Sequence, residues 1–223
     1  MEPTQNRQLI RRFLTFCFGI YLCALGATTA VSSGIGLPPI GSFPYVVNLI
    51  VPLTFGTVTA LIFLTLITLQ ILILRREYKW FNLAQVASGS LMGAFIDLNT
   101  FLLGDFQLPT YFGQLAMAGA SILFIATGIV VIAKMQFIPL PVEGLCGALH
   151  QKTGIAFHHA KIGMDCTFTT IAIVLSLLFL GGLYGVREGT ILSALLVGKM
   201  IPHVAKVVTP VLEKLHIRQA YPF

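Results

Sequence analysis

The sequence predicts an all-α membrane protein, and two observations support that prediction. Hydrophobic residues make up 56% of the 223 residues and charged residues only 10%, with a mean hydropathy of +0.88. Soluble domains carry about 25% charged residues, so this chain lacks the polar surface that a water-soluble fold needs. The apolar residues also fall in runs of about 20, the length that a helix needs to cross a bilayer.

Six runs reach that length, and we predict a transmembrane helix in each. The first follows Arg7, Arg11 and Arg12. It is longer than the apolar core of a signal peptide, which has about 7–15 residues, so we expect it to be retained as the first helix. The predicted spans are Phe13–Ser33, Phe55–Leu74, Leu83–Leu103, Phe112–Ala133, Ile162–Leu183 and Gly185–Val204.

The basic residues predict the orientation of these spans, because Lys and Arg collect in cytoplasmic loops. If the N-terminus is cytoplasmic, Arg187 is the one basic residue of fourteen that faces outward. Both termini are then cytoplasmic in a multi-pass protein of the lipid bilayer. The other loop and tail cations fall inside, namely Arg75, Arg76, Lys79, Lys134, Lys152, Lys161, Lys206, Lys214 and Arg218, whereas Asp97, Asp105 and Glu188 fall toward the outside.

The two halves of the chain share one order of motifs. "GLPPIGSFPY" follows the first span and "FIPLPVEGLCG" follows the fourth, and each precedes a short helical stretch, near 45–53 and 142–152. Each half has three spans, an odd number, so the second half must enter from the opposite side, which is typical of the inverted repeats of transporters. The prediction is one membrane domain, 1–223, with repeat one at 12–104, repeat two at 112–204 and a cytoplasmic tail at 205–223.

The uncharged stretch from Ser32 to Asn48 contains three glycines and three prolines. It is either a segment that re-enters the membrane or a surface loop with an interfacial helix, and the sequence leaves both open. Re-entry would aim two helix N-termini, which favour anions, at one central solute cavity. The predicted substrate-binding residues are Pro38, Pro39, Gly41, Pro44, Tyr45, Asn48, Pro139, Pro141, Glu143 and Gly144.

The first guess for the small-molecule partner is an anionic or zwitterionic solute. Glu143 opposes that guess, since a carboxylate facing the cavity would favour a cation or a proton. Its alternative role is to stabilise the dipole of the short helix that it begins.

Intramembrane charges are the candidates for coupling or gating. Asp165 and Lys199 lie at similar predicted depth with opposite charge, and we expect them to interact, either as a proton-coupled gate or as a pair that only neutralises itself. Asp97 and Arg187 lie at matching outer depths, where snorkelling to the interface is the alternative.

Other function classes lack their motifs. The chain has no Walker loop, dinucleotide fingerprint or GxSxG elbow, so we predict no enzymatic activity, no catalytic residue and no cofactor. Dispersed basic residues predict no nucleic-acid partner. The four cysteines form no CxxC pair, and His150, His158 and His159 lack the spacing of a metal site, so no metal is predicted.

The chain resembles the YczE/YitT-like family of bacterial integral membrane proteins. The resemblance is carried by "GLPPIGSFPY", by "TFG" and "KTG" before the following spans, and by "REGTILSALLVGKMIP", and it covers most of residues 12–204. Gly189 and Thr190 match the family's Gly-Thr, whereas Gly198 and Lys199 stand where the family has a Gly-Pro-like pair. The resemblance implies a protein of the bacterial inner membrane and is compatible with transport, without naming a substrate.

The functional expectation is therefore a transporter of a small organic solute, secondary-active or facilitative. The alternative is a membrane regulatory or interaction protein that transports nothing. A solute-sized cavity between the Pro-rich turns would favour the first, and a sealed core the second. The small-xxx-small faces, "GSLMG" and "ALLVG", suit helix packing within one chain or in a homodimer.

Overall fold

The computed structural model describes residues 3–104 and 106–214, and within these ranges the chain is helical with no strand. Two 3₁₀ turns, Arg75–Glu77 and Trp80–Ala84, connect α3 to α4, and a π-helical turn, Ser176–Leu180, continues α7. The eight described α-helices are α1 Pro3–Ser33, α2 Pro39–Ile50, α3 Phe55–Leu74, α4 Gln85–Leu103, α5 Tyr111–Met135, α6 Pro141–Thr153, α7 Phe157–Leu175 and α8 Glu188–Lys214.

Six helical segments are long and apolar enough to cross a membrane, which confirms the predicted fold class. The last span runs past its predicted end at Val204, because α8 carries Pro202 and Pro210 inside the helix instead of ending there. Asp105 and Arg218, on which the predicted orientation drew, lie outside the described residues. The spans are Gln8–Ser33, Phe55–Glu77, Trp80–Leu103, Tyr111–Met135, Phe157–Leu180 and Glu188–Glu213.

The two short helices, α2 and α6, begin in the same way. Each starts on a proline, Pro39 or Pro141, which suits the first helical position because the N–H there has no intrahelical partner. α2 begins earlier than the predicted 45–53 because Pro44 lies inside the helix. The Ser42 hydroxyl donates to the Pro39 carbonyl oxygen at 2.7 Å and stabilises this first turn.

α1 and α5 cross antiparallel through small residues. Gly19 lies against Gly128, and a Cβ on Gly128 would sit 2.7 Å from the Gly19 carbonyl oxygen. Further along α1, the Ser121 hydroxyl donates to the Gly26 carbonyl oxygen at 2.8 Å. Small residues let the two backbones approach closely, so this crossing is fixed by steric fit.

The other helix contacts follow one order in both halves. α2 packs on α3 as α6 packs on α7, and α4 packs on α1 as α8 packs on α5. The halves also exchange contacts, because α2 packs on α7 and α6 packs on α3. A shift of 102 residues takes Pro39 to Pro141, and it takes Gly34, with φ +70°, to Gln136, with φ +48°.

Charged residues separate to two ends of the helix bundle. At one end, the Arg12 guanidinium donates to the Met135 carbonyl oxygen at 2.8 Å, and Lys152 Nζ lies 3.1 Å from Glu77 Oε1. We call this the basic end. At the opposite end, Arg187 Nη1 donates to the Gly34 carbonyl oxygen at 3.0 Å. This grouping agrees with the two sides that the basic residues predict.

Candidate functional site

Both Pro-rich turns line one small cavity of about 110 Å³, which we call the inner cavity. It lies beside the crossing of α1 and α5, and the first turns of α2 and α6 therefore reach the middle of the long helices. Its lining includes Pro38, Gly41 and Pro44 from the first turn, Leu140 and Glu143 from the second, and Cys23 and Ile125 from the crossing.

A larger cavity of about 640 Å³ lies at the basic end, and we call it the outer cavity. The volume falls within the range of small-molecule sites, about 300–1,000 Å³. It reaches the surface, because Lys79 and Gln151 in its lining are exposed. Its polar lining residues are Gln70, Glu77, Lys79, Asn82, Gln136, Glu143 and Gln151.

Three residues line both cavities, namely Ile129, Leu140 and Glu143. Two are apolar, and the third is a carboxylic acid in the first turn of α6. The two cavities therefore adjoin at Glu143 and its two apolar neighbours.

Glu143 has an unusual environment. Its Oε2 atom is buried and has no hydrogen-bond partner among the described residues, although the residue as a whole is partly exposed to the cavities. Burial raises the pKa of Glu143. The Lys161 charge and a hydrogen bond from the residue's own backbone N–H oppose that shift, and the Asp165 charge adds to it. The sequence-based alternatives, a helix charge and a cavity charge, both describe this position, since the residue lies at a helix start and faces the cavities.

A pair of buried amides holds α6 in place. Gln70 Nε2 donates to Gln85 Oε1 at 3.0 Å and to the Pro141 carbonyl oxygen at 3.0 Å, and Gln85 Nε2 donates to Gln70 Oε1 at 3.2 Å. Gly144 leaves room for the pair, because a Cβ there would lie 2.7 Å from Gln70 Oε1. The amides thus fix the turn that carries Glu143.

The remaining predicted binding residues divide into three groups. Pro139 and Gly144 line the outer cavity, whereas Pro39 and Pro141 are the buried starts of α2 and α6. Tyr45 and Asn48 are not in the lining of either cavity. The Tyr45 ring packs on Phe55 with centroids 5.7 Å apart, and Asn48 Nδ2 donates to the Leu53 carbonyl oxygen at 2.6 Å. These contacts give both residues structural roles.

The prediction that Asp165 interacts with Lys199 was wrong. Asp165 Oδ1 lies 2.8 Å from Lys161 Nζ, one turn earlier on α7, whereas Lys199 is exposed on α8 and forms no ion pair in the described part of the chain. The physical reason is that α8 packs on α5, while a lysine four residues away on the same helix face is always within reach.

The other two predicted gating residues, Asp97 and Arg187, form hydrogen bonds at the ends of helices. Asp97 accepts hydrogen bonds from the Gly56 N–H and the Thr54 hydroxyl, both at 2.7 Å, and so caps the start of α3. Arg187 donates to the carbonyl of Gly34 and pairs with Glu188 at 3.1 Å. Complementary charges at helix termini are stabilising, so these contacts explain both residues structurally.

The histidines of the basic end do not gather around a common point. The rings of His158 and His159 lie 3.9 Å apart, and His150 Nδ1 lies 2.8 Å from the Ile155 carbonyl oxygen. Within residues 3–104 and 106–214, no group of three or more His, Cys, Asp or Glu side chains is placed to hold a metal ion.

A family model described as "Family of unknown function (DUF6198)" matches residues 10–206. The chain belongs to this family. Neither a curated protein nor a solved structure matches the chain. The range matched to DUF6198 contains both Pro-rich turns, Glu143 and the Gln70–Gln85 pair, so the candidate site lies within the family's domain.

The residues of this site that sequence reasoning missed in the DUF6198 protein include Gln70, Leu140 and Lys161. Gln70 had a usable signal, since it is an amide in a span that otherwise holds apolar residues, glycine and threonine. No sequence signal marked Leu140 or Lys161, because their roles depend on how α6 and α7 pack.

Proposed function

We propose that the protein transports a small organic solute across the bacterial inner membrane, by a secondary-active or facilitative mechanism and without catalysis. The observation that supports this proposal is the junction at Ile129, Leu140 and Glu143, where an outer cavity of solute size meets an inner cavity between the Pro-rich turns. A sealed core would have favoured the regulatory alternative.

We further propose that the halves form an inverted-topology repeat. The antiparallel crossing of α1 and α5 and the exchanged packing of α2 on α7 and α6 on α3 support it. In such folds, broken helices from the two repeats meet at the substrate site, and rocking of one repeat exposes that site to alternate sides. The cavity open at the basic end then corresponds to one of the two access states.

The proposed solute carries an anionic group, as an organic anion or a zwitterion. The first turns of α2 and α6 both line the inner cavity, and helix N-termini carry partial positive charge and free N–H groups. An ionised Glu143 side chain would repel an anionic group and so would weaken this preference for anions. The volume of the outer cavity admits the whole solute, and the inner cavity admits its charged group.

The proposed orientation places the basic end in the cytoplasm, in line with the positive-inside rule and with the resemblance to the YczE/YitT-like family. Arg76 and Glu188 are exposed at opposite ends. In a background without native cysteines, Arg76→Cys should react with an impermeant maleimide only after the inner membrane is opened, whereas Glu188→Cys should react in intact spheroplasts. The reverse pattern would invert the orientation, and labelling of both residues from one side would contradict the six-span arrangement.

Transport is tested by uptake into proteoliposomes from a panel of small organic anions and zwitterions. Gly41 lines the inner cavity, and a Cβ there would make only ordinary contacts with Leu37, at 3.5 Å or more. Gly41→Leu should therefore fold, fill the cavity and lower uptake by about tenfold or more, as a misplaced site does.

The matched control is Gly119→Leu, at a glycine of α5 whose Cβ would meet nothing within 4 Å, and it should transport like the parent protein. Size-exclusion profiles and thermal midpoints establish that both variants are folded. Parental uptake by Gly41→Leu would contradict a role of the inner cavity in transport. A folded parent protein that takes up no solute of the panel would favour the non-transporting alternative.

A further inference from the structure

We propose that Glu143 is a proton-binding site reached from the basic end, and that it must hold a proton before an anionic solute group enters the inner cavity. The second half of this inference rests on the proposed transport function, whereas the proton site itself does not. If both halves hold, the protein is a symporter of protons and anionic solutes.

The position of Glu143 makes an ionised carboxylate unfavourable. Its Oε2 atom is buried, with no donor within hydrogen-bond distance among the described residues. The nearby amide of Gln70 cannot supply one, because its two hydrogens are used by Gln85 Oε1 and the Pro141 carbonyl. Within the part of the chain that the structure describes, the carboxyl group receives a hydrogen bond only from its own backbone N–H. A buried charge with one oxygen left without a donor is costly, and such a group tends to neutralise instead. For a carboxylate, neutralisation means taking up a proton.

The neighbouring charges do not replace that proton. Lys161 of α7 acts on Glu143, but its ammonium group is already held by Asp165 at 2.8 Å. The other titratable groups nearby are the thiols of Cys23, on α1, and Cys146, on α6 itself, and neither supplies positive charge.

The outer cavity supplies the route for the proton. Its lining also includes Glu77 and Lys79, which are exposed, so the cavity that contains Glu143 opens to water at the basic end. Apart from Glu143, the described lining of the inner cavity contains no carboxyl, imidazole, amino or guanidinium group that could pass a proton further. Glu143 therefore exchanges protons with the basic end in this conformation.

The coupling follows from the size of the inner cavity. An anionic group that enters a space of about 110 Å³ lies close to the Glu143 carboxyl group, and two like charges at such a distance cannot both persist in a desolvated site. A proton on Glu143 removes the repulsion and provides an O–H donor for the anion. In the first Pro-rich turn, the position 102 residues before Glu143 is Gly41, which has no ionisable side chain. The two turns together therefore supply one carboxyl group, which binds one proton for each anionic group that enters.

The test is labelling with dicyclohexylcarbodiimide, an apolar reagent that adds the O–H of a protonated carboxyl group across its C=N bond. The purified full-length protein is labelled over a range of pH, and the modified residues are identified by peptide mass spectrometry. We expect modification at Glu143 that falls by at least about tenfold once the pH exceeds its pKa by about one unit. Glu143→Gln should remove this modification.

Two variants change the field at Glu143 in opposite directions. Asp165→Asn removes a charge that favours protonation, so the labelling midpoint should move to lower pH by up to about one unit. Lys161→Met removes a charge that opposes protonation, so the midpoint should move to higher pH. Glu213→Gln, at an exposed carboxyl of α8, is the matched control and should leave the midpoint unchanged.

The outcomes separate the proton site from transport. No modification of Glu143, modification independent of pH, or two variants that shift the midpoint in the same direction would each overturn the proton site. If labelling behaves as expected but no solute of the panel is taken up, the proton site stands and the transport proposal fails. If an anionic solute is taken up without dependence on a proton gradient, the coupling is overturned, whereas loss of that dependence in Glu143→Gln supports it.

Discussion

Gly56→Ala is expected to lower the thermal midpoint of the protein by roughly 10 °C, because two helices cross at this glycine without room for a side chain. A Cβ at Gly56 would overlap the carbonyl oxygen of Gly93 and lie 2.6 Å from Asp97 Cγ. The substitution must push α3 and α4 apart, and overpacking of this kind costs about 1–3 kcal/mol or more. It also disturbs the carboxylate that caps α3, which adds to the loss.

The matched control is Gly163→Ala on α7, where a Cβ would meet nothing within 4 Å. Alanine favours a helix over glycine by about 1 kcal/mol, so this variant should melt at or slightly above the parent temperature. Thermal unfolding in one detergent, followed by tryptophan or dye fluorescence, measures both variants. A Gly56→Ala protein as stable as Gly163→Ala would show that α3 and α4 do not make the close contact described.

The membrane helices could be predicted because their signal is local. Each span is a long apolar run, and its length and hydropathy depend on neighbouring residues alone. The start of α2 at Pro39 was harder to predict from the sequence. A proline is found at the first position of this helix and also, as Pro44 shows, a few residues inside it. The sequence pattern therefore identified a short helix after the turn but misplaced its beginning.

The candidate site was predictable where it follows from the repeated turns and not where it follows from packing. Gly41 and Glu143 were identified because prolines interrupt the chain at equivalent points of both halves. The Asp165–Lys199 pairing failed because depth along a helix does not say which face points to which neighbour. For the same reason Leu140 was not identified, because its position between the cavities depends on how α6 packs on α3 and α7.

The Gln70–Gln85 pair is expected to stabilise the turn that carries Glu143, and the double replacement should cost much less than the sum of the single ones. Both side chains are almost fully buried, at 1% and 0% exposure. Gln70→Leu leaves the Gln85 amide without its partner and removes the side-chain donor of the Pro141 carbonyl. Gln85→Leu leaves the Gln70 carbonyl oxygen and one of its two N–H groups without partners, while the other N–H keeps its bond to Pro141. A buried polar group without its partner costs about 1–3 kcal/mol.

In the double variant no side-chain amide remains unpaired, and two leucines of similar volume pack against each other. The Pro141 carbonyl loses only its side-chain donor and keeps its place in the hydrogen bonding of α6. The coupling measured in a thermal-stability cycle should therefore reach about 1 kcal/mol or more, above the average of about 0.6 kcal/mol for hydrogen bonds between membrane helices. Thr68→Val, at an exposed hydroxyl that donates to the Leu64 carbonyl of its own helix, is the control for replacing a polar side chain of α3. Strictly additive losses would mean that α6 is held by its apolar contacts, and that Glu143 keeps its position at the junction of the two cavities without the amides.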